Sequence, residues 1–344
     1  MTLGDAPPPS PSPAGGGGNH SAPLLEVRNL RVEFPTRRGT LVAVDDVSFT
    51  ISSGEVLGVV GESGAGKSLT GMAIIGLLEA PGRIAAGQIL LEGTRIDDLA
   101  PDAMRRIRGR HIGAIFQDPL TSLDPLYTIG RQITETIVAH LPVSRSEARE
   151  RTITLLAEVG IPAPEWRMDH YPHQFSGGMR QRVVIALALC AEPKLIIADE
   201  PTTALDVSTQ AQIIRLLQRL SQQHGTAVML ITHDMGVIAE TAHRVAVMYA
   251  GRIVEIGAAR AVIQAPRHPY TAGLMRSIPR VGASAPRLAQ IDGAMPRLAA
   301  IPPGCAFHPR CPQRFELCDS ARPQLFESDD RRTACWLYSD APTG

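Results

Sequence analysis

From Leu24 onward the chain alternates short apolar runs with turn residues: LLEVRNLRVEF from Leu24, LVAVDDVSFTI from Leu41 and GEVLGVVG from Gly54. Their β-branched content and turn-residue borders predict strands. From Gly66 to Leu78 the pattern becomes helical, so strand, Gly-rich turn and helix follow in the order that opens an α/β unit. Two later runs, KLIIA (Lys194–Ala198) and AVMLI (Ala227–Ile231), are nearly unbroken in apolarity, as parallel strands covered on both faces are. Each passes into a polar segment and then another helical pattern. Between these units, from about Leu126 to Cys190, helical periodicity dominates and strand signals are few. This predicts a helical insertion, placed at residues 119–190, in an α/β core.

After Gly257 the composition shifts. Prolines multiply, periodicity fades, and four of the five cysteines appear, which predicts a small loop-rich extension over residues 261–344. Residues 1–22 are rich in Pro, Gly and Ser and cannot bury enough apolar area to offset ordering entropy, so a flexible tail is expected there. The main domain is then 23–260, and a length of 344 residues accommodates these parts. Charge adds a restriction: 34 basic residues balance 34 acidic ones, which argues against a nucleic-acid binder. No apolar stretch reaches the roughly 18 to 20 residues that span a bilayer. The N-terminus lacks the basic start and apolar core of a signal peptide, so export is not expected. Only Lys67 and Lys194 are lysines, which raises the question of what each does.

Half of that lysine lies in Gly61-Glu-Ser63-Gly64-Ala65-Gly66-Lys67-Ser68, which satisfies G-x-x-x-x-G-K-[ST] after a strand and before a helix. At this composition a chance match is expected roughly twice in a thousand such chains. Gly-rich backbone turns N–H groups inward around a phosphate, and the helix N-terminus adds partial positive charge. Lys67 supplies a point charge to the β/γ-phosphates, and the Ser68 hydroxyl suits Mg²⁺. A second half-site ends the run LIIA with Asp199 and Glu200, two carboxylates at the C-terminal edge of a strand, where open α/β sheets bind ligands. Asp199 is expected to hold Mg²⁺ and Glu200 to orient and polarise the attacking water.

Four further segments complete a pattern: Gln117 in AIFQDP, Phe175-Ser176-Gly177-Gly178-Met179-Arg180-Gln181-Arg182, Ala204-Leu205-Asp206, and His233 after AVMLIT. Singly, Gln117 and His233 would read as a polar loop residue and a hydrogen-bonded strand-end histidine. In this order and spacing the segments resemble the Q-loop, signature, D-loop and switch histidine of the ATP-binding cassette (ABC) ATPases. The likeness covers about Leu24 to Gly257. It departs from the family's Leu-Ser-Gly-Gly-Gln signature at Phe175 and Met179, while the Ser-Gly-Gly centre is intact. The resemblance implies an α/β P-loop ATPase core with an antiparallel β subdomain and a helical insertion. It also implies ATP and Mg²⁺ as ligands. Two cassettes would face head to tail, each ATP lying between the phosphate loop, including Leu69, of one and Ser176, Gly177 and Gly178 of the other. Glu200 would be the base, and His233 would contact the γ-phosphate. Gln117 would sense Mg²⁺ and link the site to a membrane partner, and Asp206 would communicate across the dimer. Phe34 is a candidate to stack on adenine, and its alternative is a core residue.

Arg267-His268-Pro269-Tyr270-Thr271 resembles the His-Pro-Tyr-Thr segment that follows the cassette in importers of oligopeptides, dipeptides and nickel. That likeness implies a peripheral ATPase at the cytoplasmic face of the inner membrane. Its partners would be two transmembrane permease subunits, an extracytoplasmic substrate-binding protein, and a second ABC ATPase subunit, identical or not; no nucleic acid is implied. Nickel, glutathione or opine import is the alternative cargo, and a soluble ABC ATPase of DNA repair or translation the alternative class. Cys305, Cys311, Cys318 and Cys335 fall within one 31-residue segment. A reducing compartment disfavours disulfides, and C-x2–4-C zinc knuckles are absent. The preferred reading is a [4Fe–4S] cluster, which resembles the arrangement in some dipeptide-importer ATPases, with zinc and free thiols as alternatives. Cys190 reads as a small buried hydrophobe.

Overall fold

The computed structural model describes residues 22–203, 205–277 and 290–339. The tail expected at 1–22 lies, except for Ala22, outside the described residues. The unbroken apolar runs form the centre of an eight-stranded sheet. Five of its strands run parallel, in the spatial order Arg244–Tyr249, Val56–Val60, Ala227–Thr232, Leu195–Asp199 and Ile112–Ile115. Side chains alternate between faces along each strand. Val56 and Val60 join one apolar cluster, with the helices, while Leu57 and Val59 join the other, beneath a second sheet. Both faces are therefore dry, and each fully buried Val or Leu contributes about 1.5–3 kcal/mol.

The second sheet has the antiparallel order Gly39–Ile51, Leu25–Thr36, Arg83–Leu91 and Thr94–Arg95. It is the antiparallel β subdomain that the family likeness implies. The helical insertion is present as helices Ile129–His140, Arg145–Glu158, Pro164–Arg167 and Gly177–Leu189. Thr128 and Ser144 cap the first two by accepting from the N–H groups of Arg131 and Glu147.

The C-terminal region is more ordered than its poor periodicity predicts. His268 caps a helix, Pro269–Arg276, as expected of a residue before a proline at the first helical position. Beyond it a hairpin, Phe326–Ser328 with Arg331–Thr333, adds to the edge of the main sheet through Arg252–Ala258, with Glu255 opposite Thr333. Glu255 is wholly buried, and its carboxylate accepts from the backbone N–H groups of Arg267 and His268 at 3.0 and 2.9 Å. Arg331 stands 3.7 Å away. A buried charge is tolerable only with such partners. Among the described residues no helix is long and apolar enough to cross a membrane.

Candidate active site

Parallel pairing sets Val60 opposite Thr232 and Asp199 opposite Ile231, so three strands end side by side. The loop Gly61–Gly66, Asp199–Glu200 and His233 leave from those ends, at the carboxyl edge of the sheet. Gly61 is pressed against the Met248 carbonyl, which leaves no room for a Cβ. Gly66 has φ +99° and directly precedes the helix Lys67–Ile74, a left-handed turn that glycine adopts at little cost. Ser63, Gly64 and Ser68 are exposed, Ala65 is buried in the core and Leu69 packs on it. The loop is thus fixed from behind and open in front.

Lys67 is 5% exposed and its ammonium donates to the carbonyls of Gly61 and Glu62 at 2.8 and 3.0 Å. Burial lowers its pKa, against the opposing pull of Glu200, Asp199 and Glu62. Ser68 Oγ donates to Asp199 Oδ1 at 2.9 Å. This pair of oxygen donors fits a hard divalent cation. Burial, and behind it the Glu200 charge, lifts the Asp199 carboxyl, so a bound cation would relieve the strain of two adjacent acids.

Glu200 is the hub. Its Oε2 accepts from Thr203 Oγ1 at 2.7 Å and from Gln117 Nε2 at 3.3 Å, while Oε1 lies 3.4 Å from His233 Nδ1. Burial alone would raise its pKa, but the Thr203 hydroxyl and His233 outweigh that and hold it low. Its backbone has φ +46°, unusual outside glycine. An ionised base beside a phosphate loop can activate water for attack on a phosphoryl group. Sequence reasoning missed Thr203; the signal available was a hydroxyl three residues after the acid.

The signature residues lie elsewhere. Ser176 caps the helix Gly177–Leu189, its Oγ accepting from Met179 N at 3.3 Å. A Cβ on Gly178 would meet Thr209, and one on Gly177 would sit 3.7 Å from Leu205. Asp206 caps the adjoining helix Val207–His224, accepting from Thr209 and Ser208, and those bonds hold its pKa down to about 2. Ala204 lies outside the described residues. The chain therefore presents two clusters: Lys67, Ser68, Gln117, Asp199, Glu200 and His233 in one, and Ser176, Gly177, Gly178 and Asp206 in the other. Phe34 is half-buried in its strand with its ring against Gly82. Lys194 forms an exposed ion pair with Glu92 at 2.6 Å, which answers the question the composition raised.

The four C-terminal cysteines line one small cavity together with His268 and Trp336. All are free thiols. Burial raises the pKa of Cys305 and Cys311 and pushes Cys335 up to about 12. Cys190, at the end of its helix, is buried and likewise held near 12.

Two family models match the chain: ABC transporter over residues 44–203, and oligopeptide/dipeptide transporter, C-terminal region, over residues 254–318. It is 48% identical over 316 residues to the dipeptide transport ATP-binding protein DppD of Bacillus subtilis, covering 91% of this chain and 94% of that one. Escherichia coli DppD is 47% identical, with 91% and 96% covered. The oligopeptide transport ATP-binding protein OppD of Salmonella typhimurium is 48% identical, with 91% and 93% covered. Among solved structures, the ATP-binding cassette MJ0796 in a dimeric post-hydrolysis state bound to ADP and Pi is 29% identical. Its TM-score is 0.62, covering 69% of this chain and 99% of that one.

These findings correct the iron–sulfur expectation. Although Cys305, Cys311, Cys318 and Cys335 share a cavity, no group of three or more Cys, His, Asp or Glu among the described residues is placed to hold a metal ion. The physical reason is that burial raises the pKa of Cys305, Cys311 and Cys335 and so favours the neutral thiol there, whereas a cluster is ligated by thiolates. The [4Fe–4S] reading is withdrawn, and the supported ligands are ATP and Mg²⁺. From the fold, the phosphate loop and the extent of these likenesses, the chain belongs to the ATP-binding proteins of ABC transporters, in the branch with the oligopeptide/dipeptide C-terminal region.

Proposed function

We propose that the protein hydrolyses ATP to energise import of dipeptides or oligopeptides through a membrane transporter. The observation that carries the reading is the Glu200 carboxylate, held ionised by Thr203 and His233 beside the phosphate loop. Lys67 binds and orients the phosphates. Ser68 and Asp199 would hold Mg²⁺, which supplies charge neutralisation when bound. Glu200 accepts the water's proton, and His233 and Gln117 orient the carboxylate and the water. Ser176, Gly177 and Gly178, remote from this cluster in one chain, would complete the site of a second cassette, identical or not, and Asp206 stands beside them to link the two. Phe34 offers a ring for adenine.

Membrane partners are supported by an exposed apolar patch that follows Gln117. Leu120 and Leu126 are 62% and 78% exposed, and Trp166 and Tyr171 are also exposed. Backbone bonds from Ile129 to His170 and from Gly130 to Met168 tie the two segments together. Such a patch suits docking to a permease subunit, and the reading is of a peripheral ATPase at the cytoplasmic face that serves two permease subunits and an extracytoplasmic binding protein delivering cargo. Glu200→Gln should abolish ATP turnover while ATP binding persists, and normal turnover would refute the assignment of the base. Loss of labelled-dipeptide uptake on deleting the gene in its host, restored by wild type and not by Glu200→Gln, tests the cargo. Unchanged dipeptide uptake would move it to another ligand class.

A further inference from the structure

The phosphate loop has an anchor outside the cassette motifs, and it passes through one residue. The Glu62 backbone N–H donates to the Tyr270 hydroxyl oxygen at 2.8 Å, and its carboxylate accepts from Arg310 Nη1 at 3.0 Å. Its carbonyl accepts from the Lys67 ammonium at 3.0 Å. Glu62 therefore joins the phosphate-binding lysine to two residues of the C-terminal region, 208 and 248 positions away in sequence.

Neither partner is free to move. Tyr270 is wholly buried and the Arg310 side chain is 7% exposed. Tyr249, Tyr270 and Phe307 pack mutually, with ring centroids 4.7 to 5.4 Å apart. The guanidinium lies 5.8 Å over the Tyr249 ring and 5.9 Å over that of Phe307, and also donates to the carbonyls of Asp292 and Ile291. Its planar fork is thereby locked in direction, as an arginine with several donors engaged is. A loop N–H deprived of the Tyr270 oxygen would be left unsatisfied in a half-buried place, and the loop would relax toward another partner. That shift would carry the Glu62 carbonyl, and with it Lys67.

We infer that Tyr270 and Arg310 are positioning residues for the ATPase reaction: they hold the Gly61–Lys67 loop from behind, so the C-terminal region sets nucleotide affinity. This inference rests on the ATPase reading, and the test separates the two. In the full-length chain, ATP affinity, KM, kcat and the melting temperature without nucleotide are measured for Tyr270→Phe, Arg310→Gln, Glu62→Ala and the Glu62→Ala/Arg310→Gln double variant. Arg267→Gln is the control: it loses bonds to Ser328 and Asp329 in the same region without touching the loop.

Tyr270→Phe and Arg310→Gln should weaken ATP binding about fivefold or more, with KM raised and kcat changed less. The double variant should bind no more weakly than Arg310→Gln alone, because the pair acts as a unit. The control should lower the melting temperature and leave affinity unchanged. Affinities within twofold of wild type in Tyr270→Phe and Arg310→Gln, or additive losses in the double variant, would overturn the inference. A wild-type chain that failed to bind ATP would overturn the ATPase reading itself.

Discussion

The phosphate site and the C-terminal region meet at Glu62 and are built from opposite materials. The phosphate site stands on parallel strands whose apolar side chains are buried on both faces, and each acting residue leaves from a strand end or the loop behind it. The C-terminal region has a hairpin of two three-residue strands and is pinned by the wholly buried Glu255, by the Arg267 and His268 backbone, and by Arg331. A framework of buried apolar area loses stability in small steps, whereas a buried polar network depends on every partner. The candidate site lies at the rim of the first; the second fixes how the extension is attached and, through Tyr270 and Arg310, what grips Glu62 from behind.

The sharpest way to break this contrast is at the phosphate site, where chemistry should fail and the fold persist. Lys67→Ala should cut ATP turnover at least about a hundredfold with little change in melting temperature, since the framework behind it is intact. Glu255→Leu should mainly lower stability, by about 3–5 kcal/mol, because the N–H groups of Arg267 and His268 lose their acceptor and Arg331 loses one of its two neighbouring carboxylates, measured by denaturant unfolding. A loss under 1 kcal/mol would show that the hairpin carries the extension without the network.

A pH series sharpens the same point. His268 is fully buried with its Nδ1 accepting from Tyr270 N, and burial depresses its pKa from 6.5 to about 3. The unfolded chain therefore takes up a proton that the folded chain refuses. This residue's contribution is complete above pH 6.5 and is lost as pH falls toward 3, by about 1.4 kcal/mol per unit. His268→Asn should flatten that slope in urea titrations between those pH values, whatever it does to stability at neutral pH.

Smaller effects test the hub. Thr203→Val removes a hydroxyl that lowers the Glu200 pKa, so the acid limb of the kcat profile should move to higher pH, with a rate loss of about threefold to tenfold at neutrality. The smallest is Lys194→Ala. Its pair with Glu92 is half exposed on both sides, and the change should stay within about 0.5 kcal/mol in a melt.

Much of the cassette is legible in the sequence. The KLIIA and AVMLI runs became Leu195–Asp199 and Ala227–Thr232, and the Gly66–Leu78 helix formed as Lys67–Ile74. Strands Arg83–Leu91, Arg244–Tyr249 and Arg252–Ala258 were not read from the pattern. The first is exposed along much of its length, and the last is interrupted by Glu255, an acid that reads as surface until its partners are seen. The cysteines misled for a related reason: spacing along a chain says how close thiols can come, while their protonation depends on surroundings that the spacing does not contain.

What the sequence by itself determined is the inventory and its order: the phosphate loop with its single lysine, the strand-end acids, the glutamine, the signature and the histidine. Local rules suffice there, because loop, strand and helix cap are each encoded within a few residues. Only the tertiary structure decided which side chains act on one another. Thr203 and His233 hold Glu200 ionised, the signature stands with Asp206 rather than with Lys67, and Glu62 is gripped by Tyr270 and Arg310. Those relations span up to 248 positions, and a hydrogen bond that works over about 3 Å leaves no periodic trace in a chain that long.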